Sequence, residues 1–320
     1  MANILITGAA GFIGSHLAEA LLGRGHQVRG FDNLSTGRRE NLPAAHRNFA
    51  FLEGDLRDPA ALRAACDGID IVLHQAALPS VPRSIQDPAT SHAVNLNGTQ
   101  NLLEAARAAH VRRVIYAASS SAYGNQPGFP RVETMTPEPL SPYAVQKLAG
   151  ELYLHAYHRV YGLETVALRY FNIFGPRQDA GSQYAGVIAR WAADMLHPDP
   201  ARPPTLFGDG EQGRDFTFVG NVVRANLLAI EAPATRVAGR VFNIACGQRH
   251  TLNELFRELA HRTGFAEPPV YAPAREGDVR DSHADISSAR EAFGYTPEVS
   301  FPEGLTQTVA WYRSTTLESK

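Results

Sequence analysis

The sequence predicts an α/β protein whose centre is a doubly wound parallel sheet, followed by a smaller, mixed α/β lobe. Three observations support this prediction: β-rich runs alternate with longer helical patterns in the first half, the runs are apolar without alternation, and a glycine-rich turn follows the first run. Alternating strands and helices are typical of βαβ units. Strands that are apolar throughout are typical of a sheet covered on both faces.

Short runs of β-branched and apolar residues mark the strands of the first half in order. They lie at residues 4–7, 27–32, 49–54, 69–75, 113–119 and 164–170. Apolar residues at helical spacing predict helices between most of these runs, at 12–22, 89–109 and 142–161. We assign residues 1–172 to this first domain.

The composition changes after residue 172. Pro, Gly and charged residues cluster at 197–204, 208–213 and 266–281, while helical patterns persist at 185–196, 219–232, 252–263 and 302–313. The sequence shows no internal repeat and no low-complexity segment. We assign residues 173–320 mainly to a ligand-binding lobe, with some segments returning to the first domain.

The composition argues against several classes of protein. The 320 residues are 44% hydrophobic and 19% charged, with a net charge of −2, which argues against a disordered chain and a basic nucleic-acid binder. Apolar runs fall short of the roughly 18 residues that span a bilayer, and no basic segment precedes an apolar one, so we expect no membrane partner and no signal peptide. Cys66 and Cys246, the only cysteines, form no zinc or redox motif. This favours a reducing compartment such as the cytoplasm, and we expect no metal site.

Lysine usage points to one candidate residue. Of the 30 lysines and arginines, only Lys147 and Lys320 are lysines. Because a guanidinium does not replace a compact ammonium where function requires one, Lys147 is a candidate functional residue. The alternative is that a surface lysine has survived by chance.

A glycine-rich turn links the first predicted strand to the first predicted helix. Gly8, Gly11 and Gly14 have the spacing G-x-x-G-x-x-G, and Phe12 and Ile13 lie between the last two. Such glycines let the backbone approach a pyrophosphate, which then lies at the N-terminus of the helix. A plain strand-to-helix turn is the alternative interpretation.

Residues at other strand ends extend this predicted site. Asp32 ends the second strand, where a carboxylate accepts hydrogen bonds from both ribose hydroxyls and repels a 2′-phosphate, so we expect NAD rather than NADP. Ligands of open α/β sheets bind at the carboxyl ends of the strands. Asn95 precedes a helical run and is either a cofactor ligand or a helix cap. The predicted cofactor site comprises Gly8, Gly11, Phe12, Ile13, Gly14, Asp32, Asn33, Asp55, Leu56, Ala76, Ala77, Asn95, Tyr143, Lys147 and Tyr170.

Ser119, Tyr143 and Lys147 are the candidate catalytic residues. Tyr143 and Lys147 are four positions apart, on one face of a predicted helix, and Ser119 ends the fifth strand. A phenolate at Tyr143 can take the proton of an alcohol while hydride leaves. A cation about 5 Å away contributes roughly two pKa units at an effective dielectric near 20. We therefore expect Lys147, together with a positive nicotinamide ring, to lower the pKa of Tyr143 towards neutrality, while Ser119 holds the reacting oxygen.

The chain resembles the extended short-chain dehydrogenase/reductases that act on nucleotide-sugars, which have a Rossmann-like fold. Within the NAD-dependent epimerase/dehydratase family it is most similar to UDP-hexose 4-epimerases, especially those that accept UDP-N-acetylglucosamine. The resemblance covers residues 3–312. The segments that carry it are 8–14, 32–34, 74–78, 80–84, 117–124, 141–143, 169–172, 208–210, 214–216 and 276–282.

This resemblance implies a reaction and a substrate site. Tyr143 would take the proton of the sugar 4-hydroxyl while C4 gives hydride to NAD, the 4-ketosugar would turn, and hydride would return to its other face. Arg214 and Arg275 would bind the diphosphate and Asp278 would lie near the uridine ribose. The implied substrate residues are Ser120, Ser121, Asn172, Gly186, Val187, Phe207, Arg214, Arg275, Asp278 and Ser282.

The resemblance also bears on the size of the sugar. Ser282 holds the position where a tyrosine leaves room for a hydroxyl only and a small residue admits an acetamido group. Pro79 departs from the glycine of acetyl-accepting relatives, and its ring would narrow the pocket. We therefore expect activity on both UDP-glucose and UDP-N-acetylglucosamine, with their 4-epimers.

The resemblance also bears on alternative functions. Nucleotide-sugar 4,6-dehydratases and decarboxylases need acidic residues where this chain has Ser120 and Ser121. UDP-glucuronate 4-epimerases usually have Thr in place of Asn172, and NAD-sensing regulators commonly lose the catalytic Tyr or Lys.

The helices at 89–109 and 142–161 match those that form a four-helix dimer interface in the family that the chain resembles, so we expect a homodimer. The alternative is that these helices only cover the sheet.

Overall fold

The structure, a computed structural model, describes residues 1–182, 186–199, 203–274 and 280–317. Its strands in chain order are β1 (Asn3–Thr7), β2 (Gln27–Asp32), β3 (Phe49–Glu53), β4 (Ile71–His74), β5 (Arg113–Ser119), β6 (Glu164–Tyr170), β7 (Ile173–Phe174), β8 (Thr205–Phe207), β9 (Gly213–Arg214), β10 (Thr217–Phe218), β11 (Arg240–Ile244), β12 (His250–Thr251), β13 (Val270–Ala272) and β14 (Asp281–Ser282).

Most of the helices connect these strands. They are α1 (Phe12–Gly23), α2 (Pro59–Cys66), α3 (Val81–Gln86), α4 (Pro88–His92), α5 (Gly98–Ala108), α6 (Pro142–Tyr161), α7 (Val187–Leu196), α8 (Val219–Glu231), α9 (Ala234–Val237), α10 (Leu252–Thr263), α11 (Ser287–Phe293) and α12 (Phe301–Leu317). Short 3-10 turns occupy Arg39–Asn41 and Ser120–Tyr123, and a π-helical turn occupies Ala93–Asn97.

Seven parallel strands form the central sheet, in the order β3-β2-β1-β4-β5-β6-β11. The strand order reverses at β1 and β4, which is the point where open α/β sheets bind ligands. Apolar side chains of β1 pack on both faces: Ile4 and Ile6 join one buried cluster and Leu5 joins the other. The structure therefore confirms the predicted doubly wound, Rossmann-like fold.

The lobe built from the second half has its own core and three small sheets. The sheets pair β10 with β7, β12 and β14 with β9, and β13 with β8. Aromatic side chains fill the lobe core, including Phe174, Trp191, Phe216 and Phe301. Two segments return to the first domain, since α8 packs on α1 and β11 pairs with β6. The boundary at residue 172 stays a prediction.

Most of the predicted strands and helices lie within two residues of their expected ends, but the helix predicted at 302–313 is longer and spans Phe301–Leu317. The seventh strand of the sheet, β11, is absent from the prediction. The helix predicted at 89–109 is a helical run interrupted by the π-helical turn at Ala93–Asn97. Within the described ranges, no helix has the length and apolarity needed to cross a bilayer, and no group of three or more metal-ligating side chains occurs.

Candidate active site

A cavity of about 580 Å³ runs along the carboxyl edge of the central sheet. Its walls come from the loops after β1, β2, β3, β4 and β5 and from the start of α6. The structure brings fourteen of the fifteen predicted cofactor residues onto this cavity, all except Asn95. The loops that follow parallel strands converge here because the strands all end at the same edge.

The glycine-rich turn is shaped by close backbone packing. Gly8 has a φ of +73°, and a Cβ on it would lie 2.7 Å from the backbone nitrogen of Ala76. A Cβ on Gly14 would lie 2.1 Å from the carbonyl oxygen of Gly8. No side chain caps α1 at Gly11, so N–H groups of its first turn stay available to an anionic ligand. These positions therefore require glycine, as the sequence predicted.

Asp32 is fixed beside this turn. Its carboxylate accepts hydrogen bonds from the N–H of Ala10 at 3.0 Å and the N–H of Leu34 at 2.8 Å. Burial raises the pKa of Asp32, and these backbone donors oppose the increase. Further along the cavity, Asn33 donates to Asp55 at 2.8 Å, and Arg57 holds the pKa of Asp55 well below its usual range. Two carboxylates thus line the end of the cavity formed by β2 and β3.

Asn95 lies inside the helical run, so its interpretation as a helix cap is wrong. Its side chain accepts from the N–H of Leu78 at 2.7 Å and donates to the carbonyl of Leu78 at 3.3 Å. It also donates to Ser91 and, at 2.9 Å, to Gln146. Because these bonds occupy the amide and Asn95 is set back from the cavity, it positions the loop after β4 instead of facing the cofactor.

The three candidate catalytic residues meet at the end of β5. Helix α6 begins at Pro142, and the backbone N–H of Tyr143 donates to Ser84 Oγ at 3.1 Å. Lys147 Nζ donates to the carbonyl oxygen of Ala117 at 2.8 Å. Ser119, Tyr143 and Lys147 all line the cavity. The helix, the strand and Ser84 together fix the phenol close to the serine.

Burial dominates the ionisation of this centre. It raises the pKa of Tyr143 to about 12, and a hydrogen bond with Ser119 opposes the increase. Burial also lowers the pKa of Lys147 to about 7, and the negative charge of Glu151 raises it. In the chain alone, Lys147 therefore does not lower the pKa of Tyr143. The expectation included a positive nicotinamide ring beside the phenol, so a Tyr143 pKa near neutrality stays a prediction for the site with its cofactor. The ammonium is directed to Ala117, and loss of hydration outweighs the remaining interactions of the phenol.

Lys147 lies near three side chains that the sequence patterns did not identify. Its ammonium lies 4.7 Å from the centre of the Tyr116 ring. One turn further along α6, Glu151 accepts two hydrogen bonds from Arg169, at 2.9 Å and 2.7 Å, with both residues buried. Two features of the sequence could have identified this pair: Glu151 follows Lys147 by four positions, and Arg169 begins one of the segments that carry the family resemblance.

A second cavity of about 260 Å³ adjoins the first and shares Ser119, Ser120 and Asn172 with it. Ser121 Oγ donates to Ser119 Oγ at 2.9 Å, which orients the Ser119 hydroxyl. Arg214 of β9 and Ser282 of β14 lie on the same wall, since these two strands pair in parallel with Ser282 opposite Arg214. Asn172 has a φ of +39°, a conformation that asparagine tolerates better than most residues.

The other predicted substrate residues lie partly on the first cavity and partly away from the described walls of both cavities. Gly186 and Pro79 line the first cavity. Val187 packs against the core of the lobe, and Phe207 lies in β8, which pairs with β13. Neither residue is on the described walls of the two cavities. Arg275 and Asp278 lie outside the described residues. A role for these four in substrate binding stays a prediction.

Few acidic side chains line the two cavities among the described residues. The described carboxylates on the two cavities belong to Asp32, Asp55, Asp179 and Asp281. Asp281 is engaged by Arg249 at 2.6 Å and by the N–H of Gly213 at 3.1 Å. The positions beside Ser119 are serines. The arrangement therefore suits proton transfer at one oxygen through Tyr143 rather than removal of water by an acidic pair.

Comparisons with known proteins agree with this geometry. Residues 4–245 match the model of the NAD dependent epimerase/dehydratase family. The UDP-glucose 4-epimerase of Mycolicibacterium smegmatis is 40% identical over 314 residues, covering 97% of this chain and 98% of that protein.

Solved structures of high similarity carry three kinds of sugar. A UDP-glucose 4-epimerase of Thermotoga maritima with UDP-glucose has a TM-score of 0.92 at 42% identity, covering 98% of this chain and 99% of that one. A UDP-N-acetylglucosamine 4-epimerase of Methanobrevibacter ruminantium M1 with UDP-N-acetylmuramic acid has a TM-score of 0.92 at 39% identity, with the same coverage. A UDP-glucuronic acid 4-epimerase of Bacillus cereus with UDP-glucuronic acid and NAD has a TM-score of 0.88 at 33% identity, again with coverage of 98% and 99%.

Proposed function

Because the chain belongs to the NAD dependent epimerase/dehydratase family, we propose that it is a UDP-hexose 4-epimerase. Its substrates in this proposal are UDP-glucose with UDP-galactose, and UDP-N-acetylglucosamine with UDP-N-acetylgalactosamine. The observation that carries the proposal is the meeting of Ser119, Tyr143 and Lys147 where the two cavities join, with serines in place of the acids that a dehydratase needs.

The first cavity has the features that NAD requires. Gly8 and Gly14 leave a cradle that a Cβ would fill, and the N–H groups of the first turn of α1 face an anionic group there. Asp32, fixed by two backbone N–H groups, presents a carboxylate for ribose hydroxyls. When bound, NAD would supply the hydride acceptor for C4 and a positive charge near Tyr143.

The chain's own residues handle the proton and the orientation of the sugar. In its phenolate form, which the positive charges of Lys147 and of bound NAD would favour, Tyr143 takes the proton of the 4-hydroxyl and returns it at the end of the reaction, while Ser119, oriented by Ser121, binds the same oxygen. Small side chains, Ser120 and Ser282 among them, leave the second cavity room for the sugar to turn.

The direct test is a panel of four UDP-sugars: UDP-glucose, UDP-galactose and their two N-acetylated forms. The purified protein is incubated with each sugar without added NAD, and the products are separated by chromatography. We expect the 4-epimer in each case. The absence of a 4-epimer from all four sugars would overturn the proposal, while turnover of UDP-glucuronate alone would identify the alternative uronate epimerase. Any turnover would also exclude an NAD-sensing regulator without activity.

Asp32 is expected to make the protein retain NAD rather than NADP. The protein as purified should release NAD on denaturation, and Asp32→Ala should weaken NAD binding roughly 100-fold, since two hydrogen bonds to a charged group are lost. Asp179→Ala is the matched control, because Asp179 lines the same cavity but pairs with the exposed Arg38 at 3.0 Å. Recovery of mainly NADP from the wild-type protein would contradict this role.

We also propose a homodimer, formed through the outer face of α6. Val145, Leu152 and Val160 recur every seven or eight residues along this helix, and Leu152 is 63% exposed. Ile85 of α3 is equally exposed. We expect a dimer mass by light scattering at micromolar concentration and a monomer for Leu152→Glu, with Arg257→Glu, exposed on α10, as the control. A monomeric wild-type protein would refute the proposal.

A further inference from the structure

Glu151 and Arg169 form an ion pair inside the protein, one helical turn beyond Lys147. Their exposed fractions are 4% and 3%, and the guanidinium donates to both carboxylate oxygens, at 2.9 Å and 2.7 Å. The proton transfer at Tyr143 involves neither residue directly. A buried ion pair is often no more stable than apolar residues in the same place, so stability alone does not account for this one.

Arg169 holds the carboxylate of Glu151 in place. Its guanidinium lies 4.6 Å from the centre of the Tyr123 ring, and Tyr123 donates in turn to Asn243 at 2.7 Å. Burial raises the pKa of Glu151, while the hydrogen bonds and the charge of Arg169 oppose the increase. Arg169 therefore favours the ionised form of Glu151.

Glu151 is the negative group that acts on Lys147. From the neighbouring strands, His74 of β4 interacts electrostatically with the lysine, and the Tyr116 ring of β5 lies 4.7 Å from its ammonium. Burial lowers the pKa of His74 to about 3 and raises the pKa of both Tyr116 and Tyr143, so these groups are neutral near pH 7. Among the titratable groups that the structure describes around Lys147, the carboxylate of Glu151 is thus the one with a negative charge.

The charged groups beside Tyr143 leave one net positive charge, which is located on Lys147. The ion pair of Glu151 with Arg169, from β6, is neutral as a whole. Lys147 donates to the carbonyl oxygen of Ala117 at 2.8 Å rather than to the carboxylate. The ammonium therefore keeps a charge that a direct ion pair with Glu151 would cancel, and this charge acts on the phenol four positions earlier.

The surroundings of Lys147 make its charge unfavourable without help. Tyr116 packs closely on α6, since a Cβ on Gly150 would lie 2.5 Å from the Tyr116 hydroxyl oxygen. Burial lowers the pKa of Lys147 to about 7, and the charge of Glu151 raises it. At this balance, a lysine that loses the opposing carboxylate is expected to lose its proton below neutral pH.

We propose that Glu151 is a positioning residue that keeps the positive charge on Lys147 beside Tyr143. The inference rests on the proposed function, since that reaction needs this charge, together with bound NAD, to favour the phenolate of Tyr143. Glu151 itself lies off both cavities, so it acts through Lys147 and not on the substrate.

The charge of Lys147 can be titrated directly, because Lys320 is the only other lysine of the chain. The protein, as purified with its cofactor, carries lysine labelled with carbon-13 at Cε, and NMR follows both signals over a pH series; Lys320→Arg assigns them. We expect Lys147 to titrate at least about one pH unit lower in Glu151→Gln than in the wild type. A charge about 6 Å away contributes roughly two pH units at an effective dielectric near 20.

Glu164→Gln is the matched control for this titration. Glu164 pairs with the buried Arg113 at 2.7 Å, where β5 and β6 begin, whereas Lys147 lies near the carboxyl end of β5. Because the charge of Glu164 is far from the ammonium, this variant should leave the midpoint for Lys147 within about 0.3 pH units of the wild type.

The pH dependence of kcat for UDP-galactose separates this role from a structural one. We expect Glu151→Gln to move the alkaline limb of the profile to lower pH, so that its loss of kcat is roughly tenfold larger near pH 9 than near pH 6. A structural defect alone would lower kcat by a similar factor at both pH values.

An unchanged midpoint for Lys147 in Glu151→Gln, or an alkaline limb that does not follow the midpoint, would overturn the inference. If Glu151→Gln fails to fold, Glu151→Leu combined with Arg169→Met takes its place, with a shift in the same direction expected, because this variant leaves neither charge unpaired. Inactivity of the wild type on all four UDP-sugars would instead overturn the proposed function, and the titration would still decide whether Glu151 holds the charge of Lys147.

Discussion

Replacement of Tyr143 by phenylalanine is expected to lower kcat roughly 1,000-fold or more, because the proton acceptor is lost while the ring is kept. The phenol lines the cavity with Ser119, and α6 fixes it through the contact of the backbone N–H of Tyr143 with Ser84. Substrate binding should change little, since the proposed diphosphate ligand Arg214 lies on the second cavity instead. The measurement is the steady-state kcat for UDP-galactose, together with the NAD content of the variant.

Tyr157→Phe is the matched control for Tyr143→Phe. Tyr157 lies on the same helix and donates to Glu104 at 2.5 Å, outside both cavities. Its replacement removes one hydrogen bond and should lower the stability by about 1 kcal/mol without a large change in kcat. A Tyr143→Phe variant that keeps more than about a tenth of the activity would argue against Tyr143 as the base.

Replacement of Ser282 by tyrosine should remove most activity on the N-acetylated sugars and spare the plain ones. Ser282 lines the second cavity, and its carbonyl accepts from the N–H of Asp215 at 2.7 Å, so the backbone at this position is fixed. A phenol ring here occupies the space that an acetamido group needs. We expect kcat/KM for UDP-N-acetylglucosamine to fall roughly 100-fold, and that for UDP-glucose to stay within about fivefold.

Ser282→Ala controls for loss of the hydroxyl, and both sugars should stay within about threefold of the wild type. If Ser282→Tyr keeps both activities in the wild-type ratio, Ser282 does not control the size of the sugar. A loss of both activities together with a lowered melting temperature would indicate a folding defect instead. The same comparison of the two sugars on Ser282→Phe would then decide whether this position controls the size of the sugar.

Local sequence patterns predicted the centre of the fold and of the site. Continuous apolar runs identified six strands of the sheet, and residues at their carboxyl ends, such as Asp32 and Ser119, lie on the cavity. The i, i+4 spacing placed Tyr143 and Lys147 on one face of α6. These features depend on neighbours in the chain, which is why a pattern can reveal them.

Features that depend on distant contacts could not be predicted in this way. The strand β11 pairs with β6, more than 70 residues earlier in the chain, and its sequence mixes polar and apolar residues. Asn95 resembled a cap because the π-helical turn around it has no recognised sequence signal. The rise in the Tyr143 pKa in the chain alone could not be predicted, because burial, the largest effect, is a property of the folded chain.

The central claim is that C4 loses and regains the same hydride while Tyr143 handles the proton. The most direct measurement uses UDP-galactose that carries deuterium at C4, incubated with the protein as purified and without added NAD. We expect UDP-glucose that retains the deuterium at C4, and no deuterium at C4 when unlabelled substrate reacts in D2O. Exchange of the C4 label with solvent, or epimerisation that depends on added NAD, would contradict it.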